Sequence, residues 1–328
     1  MALLRGGEEA QAVPGLVLVA KRYACRAGVV GMGLDAEKPR APGDDTRTIY
    51  RGTIGKMLCC LYVRGCATHV GEAFRGLDVN LIVANLIQDT NLNVDLCDEA
   101  DGEITVPPLT QKARDFKARY DAQTPLSAVV HCSCLVHTRT PQEVLSTMVD
   151  LADTALRTAN RRRLSAWQAY ARRQGSQEAL PDLGGRVWTY EELYEAIAER
   201  LGHGELTQEL EERAFGYVSE AQGLLDSLSP LEQDFLIDHG QLIGLDSRER
   251  SLVIVRTLVD IAGREGVYDT KEPIIVVYFA PPYFPPVRGD ATSPLNQAIA
   301  AEVESGSYKD YGDIRFRGFY PYVSEMSY

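Results

Sequence analysis

The spacing of apolar and polar positions changes several times along the chain, and each change marks an element. Residues 48–64, TIYRGTIGKMLCCLYVR, carry an unbroken apolar run rich in β-branched and aromatic neighbours, which predicts extended, buried chain. Residues 77–90 switch to helical spacing, with Asp78 placed to cap the first free N–H groups. A second strand is expected near 102–107 and a clearer one over 126–138, LSAVVHCSCLVHT. Thr140-Pro141-Gln142-Glu143 then reads as a helix start, with threonine as cap and proline at the first position. That helix should run to about Arg163 or beyond.

Between 164 and 264 the chain reads as helical and charged, with WTYEELYEAIAERLG and ELTQELEERAFGYVSEAQGLLDSL as its clearest amphipathic stretches. Residues 273–286, PIIVVYFAPPYFPP, predict a last buried strand running into a proline-aromatic loop. A helix over 294–303 and a strand over 313–319 follow. Strand, helix, strand, strand, helix and a returning strand make a ferredoxin-like unit, so the fold class is α/β with an α+β portion. Upstream, residues 11–26 have helical spacing, and the run VVGMGLD ends a short strand at Asp35 before a Pro/Gly linker.

Length and charge narrow the function. A chain of 328 residues holds one large or two medium domains. Its net charge of −12 argues against a nucleic-acid partner, because phosphate binding needs a concentrated basic face. The cluster Arg161-Arg162-Arg163 reads as a solvated helix face. Without a long apolar run or a leader-like start, the expectation is a cytoplasmic protein without a membrane partner. Seven cysteines and no CxxC pair suggest reduced, buried thiols rather than disulfides or a cysteine zinc site.

Four places could carry chemistry. His69 lies in GCATHVGEAFRGLDVN and is open to two readings: a buried imidazole satisfied by the backbone, or a donor to developing negative charge. Asp35 could solvate its loop or serve as an oxygen ligand for a divalent ion. Arg139 could form a surface ion pair or grip a carboxylate with its planar fork. Glu8-Glu9 could be an exposed helix-start pair or a general base beside a ligand. His131, His137, His203 and His239 show no metal spacing and read as structural or exposed.

The blocks TIYRGTIGKMLCCLYVRGCATHVGEAFRGLDVNLIVANLI, VPPL, HCSCLVHTRTPQEVL, VVYFAPPYFPP and FYPYVSEMSY occur in that order. Together they resemble the RocB-type arginine-utilisation family, predicted deacylases of the di-zinc amidohydrolase superfamily that includes carboxypeptidase G and aminoacylase. The resemblance implies an α/β catalytic domain over 1–45, an inserted ferredoxin-like lid and dimerisation domain over 46–283, and a return to the catalytic domain over 284–328. The helical stretch at about 164–264 would be an insertion in the lid. It implies a cofactor of two divalent metal ions, zinc in the intact enzyme, with Asp35 as a metal ligand. It further implies His69 as the oxyanion-stabilising histidine, Asn80 and Arg139 as substrate-binding residues, a small amide substrate and a homodimer formed through the lid. The family's HxD ligand region and its later histidine ligand have no match in this sequence. The chain is therefore expected to be a middle portion, holding no metal tightly and inactive alone; the alternative is a non-catalytic lid or dimerisation module.

Overall fold

The computed structural model describes residues 47–230, 247–289, 292–305 and 314–319. Its first elements are β1 (Arg47–Tyr50), β2 (Gly55–Arg64), α1 (Val79–Thr90), β3 (Glu99–Ala100), β4 (Glu103–Ile104), β5 (Leu109–Asp115), β6 (Ser127–Val136) and α2 (Pro141–Gln174). There follow β7 (Arg186–Thr189), α3 (Tyr190–Leu201), α4 (His203–Leu210), α5 (Gly216–Asp226), α6 (Ser247–Arg264), β8 (Ile274–Phe284), α7 (Pro294–Glu304) and β9 (Ile314–Arg317).

The central sheet has the order β5-β6-β2-β8-β7; its first four strands are mutually antiparallel, and β7 lies parallel to β8 at one edge. With α1 and α2 in their places along the chain, those four strands have the ferredoxin-like arrangement. Met57, Cys59, Leu61 and Val63 of β2 pack under α1 and α2, while Leu58, Cys60 and Tyr62 pack under α3, α4 and α6. Helices cover both faces. That is why β2 reads as a continuous apolar run instead of an alternation. Ala152, Ala155 and Ala159 of α2 are fully buried, and their small size lets the helix lie close to the sheet.

Several local expectations hold for stated reasons. The Asp78 carboxylate accepts from the Asn80 N–H at the start of α1. Thr140 and Glu143 form a reciprocal capping box around Pro141. Others need correction. The extended stretch 48–64 is broken: β1 leaves the main sheet and pairs in parallel with β9. The strand expected at 102–107 is only β4 of a two-residue hairpin, closed at Asp101 and Gly102 with φ of 55° and 75°. The true neighbour of β6 is β5, whose sequence LTQKARD has no apolar stripe to announce it. The region read as wholly helical contains β7. Arg163 does not belong to a solvated face, since it is 5% exposed, although Arg161 and Arg162 are exposed.

No described helix is long and apolar enough to cross a membrane.

Candidate functional site

Strand direction divides the candidate residues between the two ends of the sheet. The carboxyl end of β2 lies beside the amino end of β6, Arg64 opposite Ser127, and its amino end lies beside Val136. His69, just after β2, and Asn80, at the start of α1, therefore share one end. Arg139, just after β6, lies at the other. Ten residues of strand separate them, about 30 Å at the usual rise. Asp35 and the Glu8-Glu9 pair lie outside the described residues, as does His239.

The loop carrying His69 is held by its own backbone. Cys66 and Leu77 exchange two backbone hydrogen bonds of 3.1 and 2.9 Å, closing the loop at its neck. The approach is so close that a Cβ on Gly65 would stand 2.4 Å from the Leu77 carbonyl oxygen, and one on Gly76 2.2 Å from that of Cys66. These glycines make room for chain against chain. On its outer side the loop pairs with residues 122–124: Val70 donates to the Ala122 carbonyl at 2.8 Å, and Thr124 donates to that of Thr68 at 2.8 Å. Lys117 ties the far strand of this pairing, since its ammonium donates to the carbonyls of Asp121 and Gln123 and forms an ion pair with the Asp121 carboxylate at 2.9 Å. That lysine holds the Asp121 carboxyl below its ordinary range, and the Gln123 N–H adds to the effect.

On the inner side the clamp is Arg163. Its guanidinium donates to the Phe74 carbonyl at 2.8 Å, the Pro181 carbonyl at 2.6 Å and the Asn160 side chain at 3.1 Å. Burial pulls its pKa down, opposed by Asp182. Phe74, Trp167 and Tyr170 pack in tilted contact around the same loop with ring centroids 5.1–5.9 Å apart.

Within this frame the His69 ring is exposed, which removes the buried-imidazole reading. Its Nδ1 accepts the Gly71 N–H at 3.0 Å. An accepting Nδ1 carries no proton, so the neutral ring is the Nε2–H tautomer with its donor directed away from that backbone contact. Asn80 is also exposed at this end; its own N–H is spent on Asp78 at 3.0 Å. An open hollow of about 450 Å³ lies next to the loop, walled by Ala67, Phe116, Arg119 and Gln123 among others.

Arg139 is in a different situation. Its guanidinium donates to the Leu96 carbonyl at 3.3 Å and to Thr147 Oγ1 at 2.7 Å. Its backbone is fixed by Asp98, whose carboxylate accepts the N–H groups of His137, Thr138 and Arg139, each at 2.8 Å. Burial works to raise the Asp98 carboxyl, but the backbone donors of Arg139, Thr138 and His137 prevail and hold it below its ordinary range. His137 is buried and stacked on Phe319 at 3.9 Å, and His131 is buried; both are structural, while His203 is exposed beside Glu195. The clamps Lys117, Arg163 and Asp98 escaped the sequence reading. Only the lysine-aspartate spacing of four residues at 117 and 121 offered a local signal.

The metal expectation meets no support here: among the described residues no group of three or more His, Cys, Asp or Glu is placed to hold an ion.

Fold and loop together define a mixed α/β protein built on a ferredoxin-like sheet with an exposed, backbone-oriented histidine. Among curated proteins the chain is similar to RocB of Bacillus subtilis, 24% identical over 304 residues, and to the uncharacterised protein YqjN of the same organism, 28% identical over 288 residues. The first similarity covers 92% of this chain and 48% of RocB, the second 88% and 46% of YqjN, so the chain spans about half the length of the curated relatives it matches. The resemblance read from the ordered blocks thus extends over most of the chain. No family model matches it. Among solved structures, the aminopeptidase PepT of Bacillus cereus overlays 35% of this chain and 28% of its own at 12% identity, with a TM-score of 0.26. A tripeptidase of Staphylococcus aureus overlays 41% and 40% at 13% identity, also with a TM-score of 0.26.

Proposed function

We propose that this chain is the lid portion of a metal-dependent amidohydrolase that cleaves a small amide such as an N-acyl amino acid. The observation that carries the reading is the exposed His69 ring, turned by the Gly71 N–H so that Nε2–H is the free donor. As water adds to an amide carbonyl, negative charge gathers on its oxygen, and a fixed donor there is worth more than one that must reorganise. The similarity to RocB and the ordered blocks supply the family context. Asn80, exposed at the same end, orients the substrate. The described residues offer no metal cluster, so no step is assigned through a metal.

The positions of His69 and Arg139 bear on assembly. A small amide cannot touch residues about 30 Å apart in one chain. In a homodimer formed through this unit, His69 serves the neighbour's site while Arg139 serves its own, which accounts for both positions.

The test uses a RocB-length protein carrying this segment, assayed on N-acyl amino acids. His69→Ala should lower kcat by roughly 10²–10³-fold, the usual loss for one oxyanion donor, with KM changed little. An unaltered rate would return His69 to a structural role.

A further inference from the structure

The connection between β5 and β6 carries an assembly that has no part in that reading. The chain leaves the sheet where the Phe116 N–H donates to the Ser127 carbonyl at 3.1 Å, and residues 116–127 curl around the open hollow of about 450 Å³. Backbone bonds to side chains hold this rim in shape. The Lys117 N–H donates to the Asp115 carboxylate at 3.0 Å, the Gln123 N–H to the Asp121 carboxylate at 2.7 Å, and the Thr68 N–H to Thr124 Oγ1 at 3.0 Å. The hollow falls within the size range of small-molecule sites, roughly 300–1,000 Å³. Phe116, Pro125 and Leu126 give it an apolar wall.

The cations around the hollow are unequally matched by acids. Arg64, opposite Ser127 in the sheet, meets Asp260 at 3.3 Å; Arg114 meets Glu249 at 3.1 Å, and Lys117 meets Asp121 at 2.9 Å. Among the described residues no carboxylate lies within ion-pair distance of Arg119 or Arg256. Arg119 is exposed and forms part of the wall. Arg256 of α6 sets its guanidinium 4.9 Å from the centroid of the Phe116 ring, and that of Arg114 lies 5.2 Å from the same ring. Asp121 also belongs to the wall, but Lys117 offsets its charge. Two guanidiniums without an acid, in a chain of net charge −12, make a local positive spot beside an apolar surface.

We propose that this hollow binds a small carboxylic acid with an apolar body, its carboxylate held by Arg119 and its body laid against Phe116 and Leu126. The planar fork of a guanidinium takes a carboxylate through two parallel hydrogen bonds, and the nearby charge of Arg256 adds to the attraction. Inorganic phosphate would leave the apolar wall uncovered, and a neutral ligand would leave the cations unmatched. The site is separate from Arg139, which lies at the other end of the sheet, and it does not rest on the amidohydrolase reading. Its position gives it a consequence for the histidine loop. Because His69 bridges to Gln123 across the same rim, a ligand in the hollow would brace the segment that carries the imidazole.

The experiment titrates the purified chain with phenylacetate and follows its backbone amides by NMR. Binding with a Kd of about 0.1–1 mM is expected, the affinity a ligand of this size can reach in an open site, with shifts centred on Phe116, Arg119 and Gln123. Acetate lacks the apolar body and phenylacetamide lacks the charge, so each should bind about tenfold more weakly. Among the described residues Arg119 makes no side-chain hydrogen bond, so Arg119→Gln should spare the fold while weakening phenylacetate by about tenfold. Arg157→Gln, on α2 across the sheet, should leave the affinity unchanged. Acetate or phenylacetamide binding as tightly as phenylacetate would overturn the proposal. So would shifts centred on Arg139, an Arg119→Gln chain that binds as well as its parent, or no shift at about 10 mM phenylacetate.

Discussion

The two ends of the sheet solve one problem with opposite charges. At the His69 end a buried cation, Arg163, collects carbonyl groups from the loop and from residue 181; at the Arg139 end a buried anion, Asp98, collects three successive N–H groups. Both fix a turn that leaves a strand. They differ in what they leave available. The Arg139 side chain is itself drawn into the bonding, whereas the His69 ring keeps one nitrogen free. A turn clamped through backbone carbonyls from behind can still present its side chain to solvent. On the proposed reading, that contrast leaves the His69 ring the more open of the two side chains to solvent.

The comparison can be broken at its strongest point by Arg163→Met. The change would strand the Phe74 and Pro181 carbonyls and part of Asn160 in a buried setting, so unfolding in urea should show a loss of about 3–4 kcal/mol. A loss below about 1 kcal/mol would mean that water replaces the guanidinium and that the clamp is dispensable. At the other end, Asp98→Ala should cost about 2–3 kcal/mol, because two of the three donor bonds are only part-buried. This cost depends on pH with a definite sign. The folded carboxyl sits below its unfolded value, so its stabilisation is complete above about pH 4 and disappears as pH falls through the folded pKa. Asp98→Asn should therefore flatten the acid limb of the stability curve, and an unchanged limb would remove Asp98 from the account.

The same contrast separates what the sequence made legible from what it hid. β2, β6 and β8 announced themselves because both faces are buried along most of each and their runs are mainly apolar. The caps at Asp78 and Thr140 are local chemistry, readable from a few adjacent letters. β5 was missed because an edge strand with alternately exposed residues leaves little hydrophobic trace. The Asp101-Gly102 pair is a two-residue turn signal that should have shortened the strand expected at 102–107. Arg163 was misread and Asp98 missed for another reason: the turn groups they hold lie 89 and 39–41 residues away, and a charge that bonds backbone has no complementary letter to pair with. His69 fell between these cases. Its glycine setting suggested close approach, but only the geometry shows that Gly65 and Gly76 make room for a neighbouring chain segment.

The finest distinction between the ends concerns rigidity rather than stability. Lys117 ties residues 121–123 through an ion pair to Asp121, whose side chain is 58% exposed, so Lys117→Met should leave global unfolding almost unchanged. What it should loosen is the pairing that carries His69. The Val70 N–H, bonded to the Ala122 carbonyl at 2.8 Å, should exchange with solvent several-fold to about tenfold faster, while the amides of Thr138 and Arg139 at the opposite end keep their rates. The Asp121 carboxyl should titrate higher, stopping short of an ordinary aspartate because the Gln123 N–H still reaches it at 2.7 Å. Faster exchange at both ends would mean that the sheet moves as one body and that its ends are not independently held. Faster exchange at Val70 alone would show that the orientation of His69 rests on a separate, local knot, which could be loosened without unfolding the sheet beneath it.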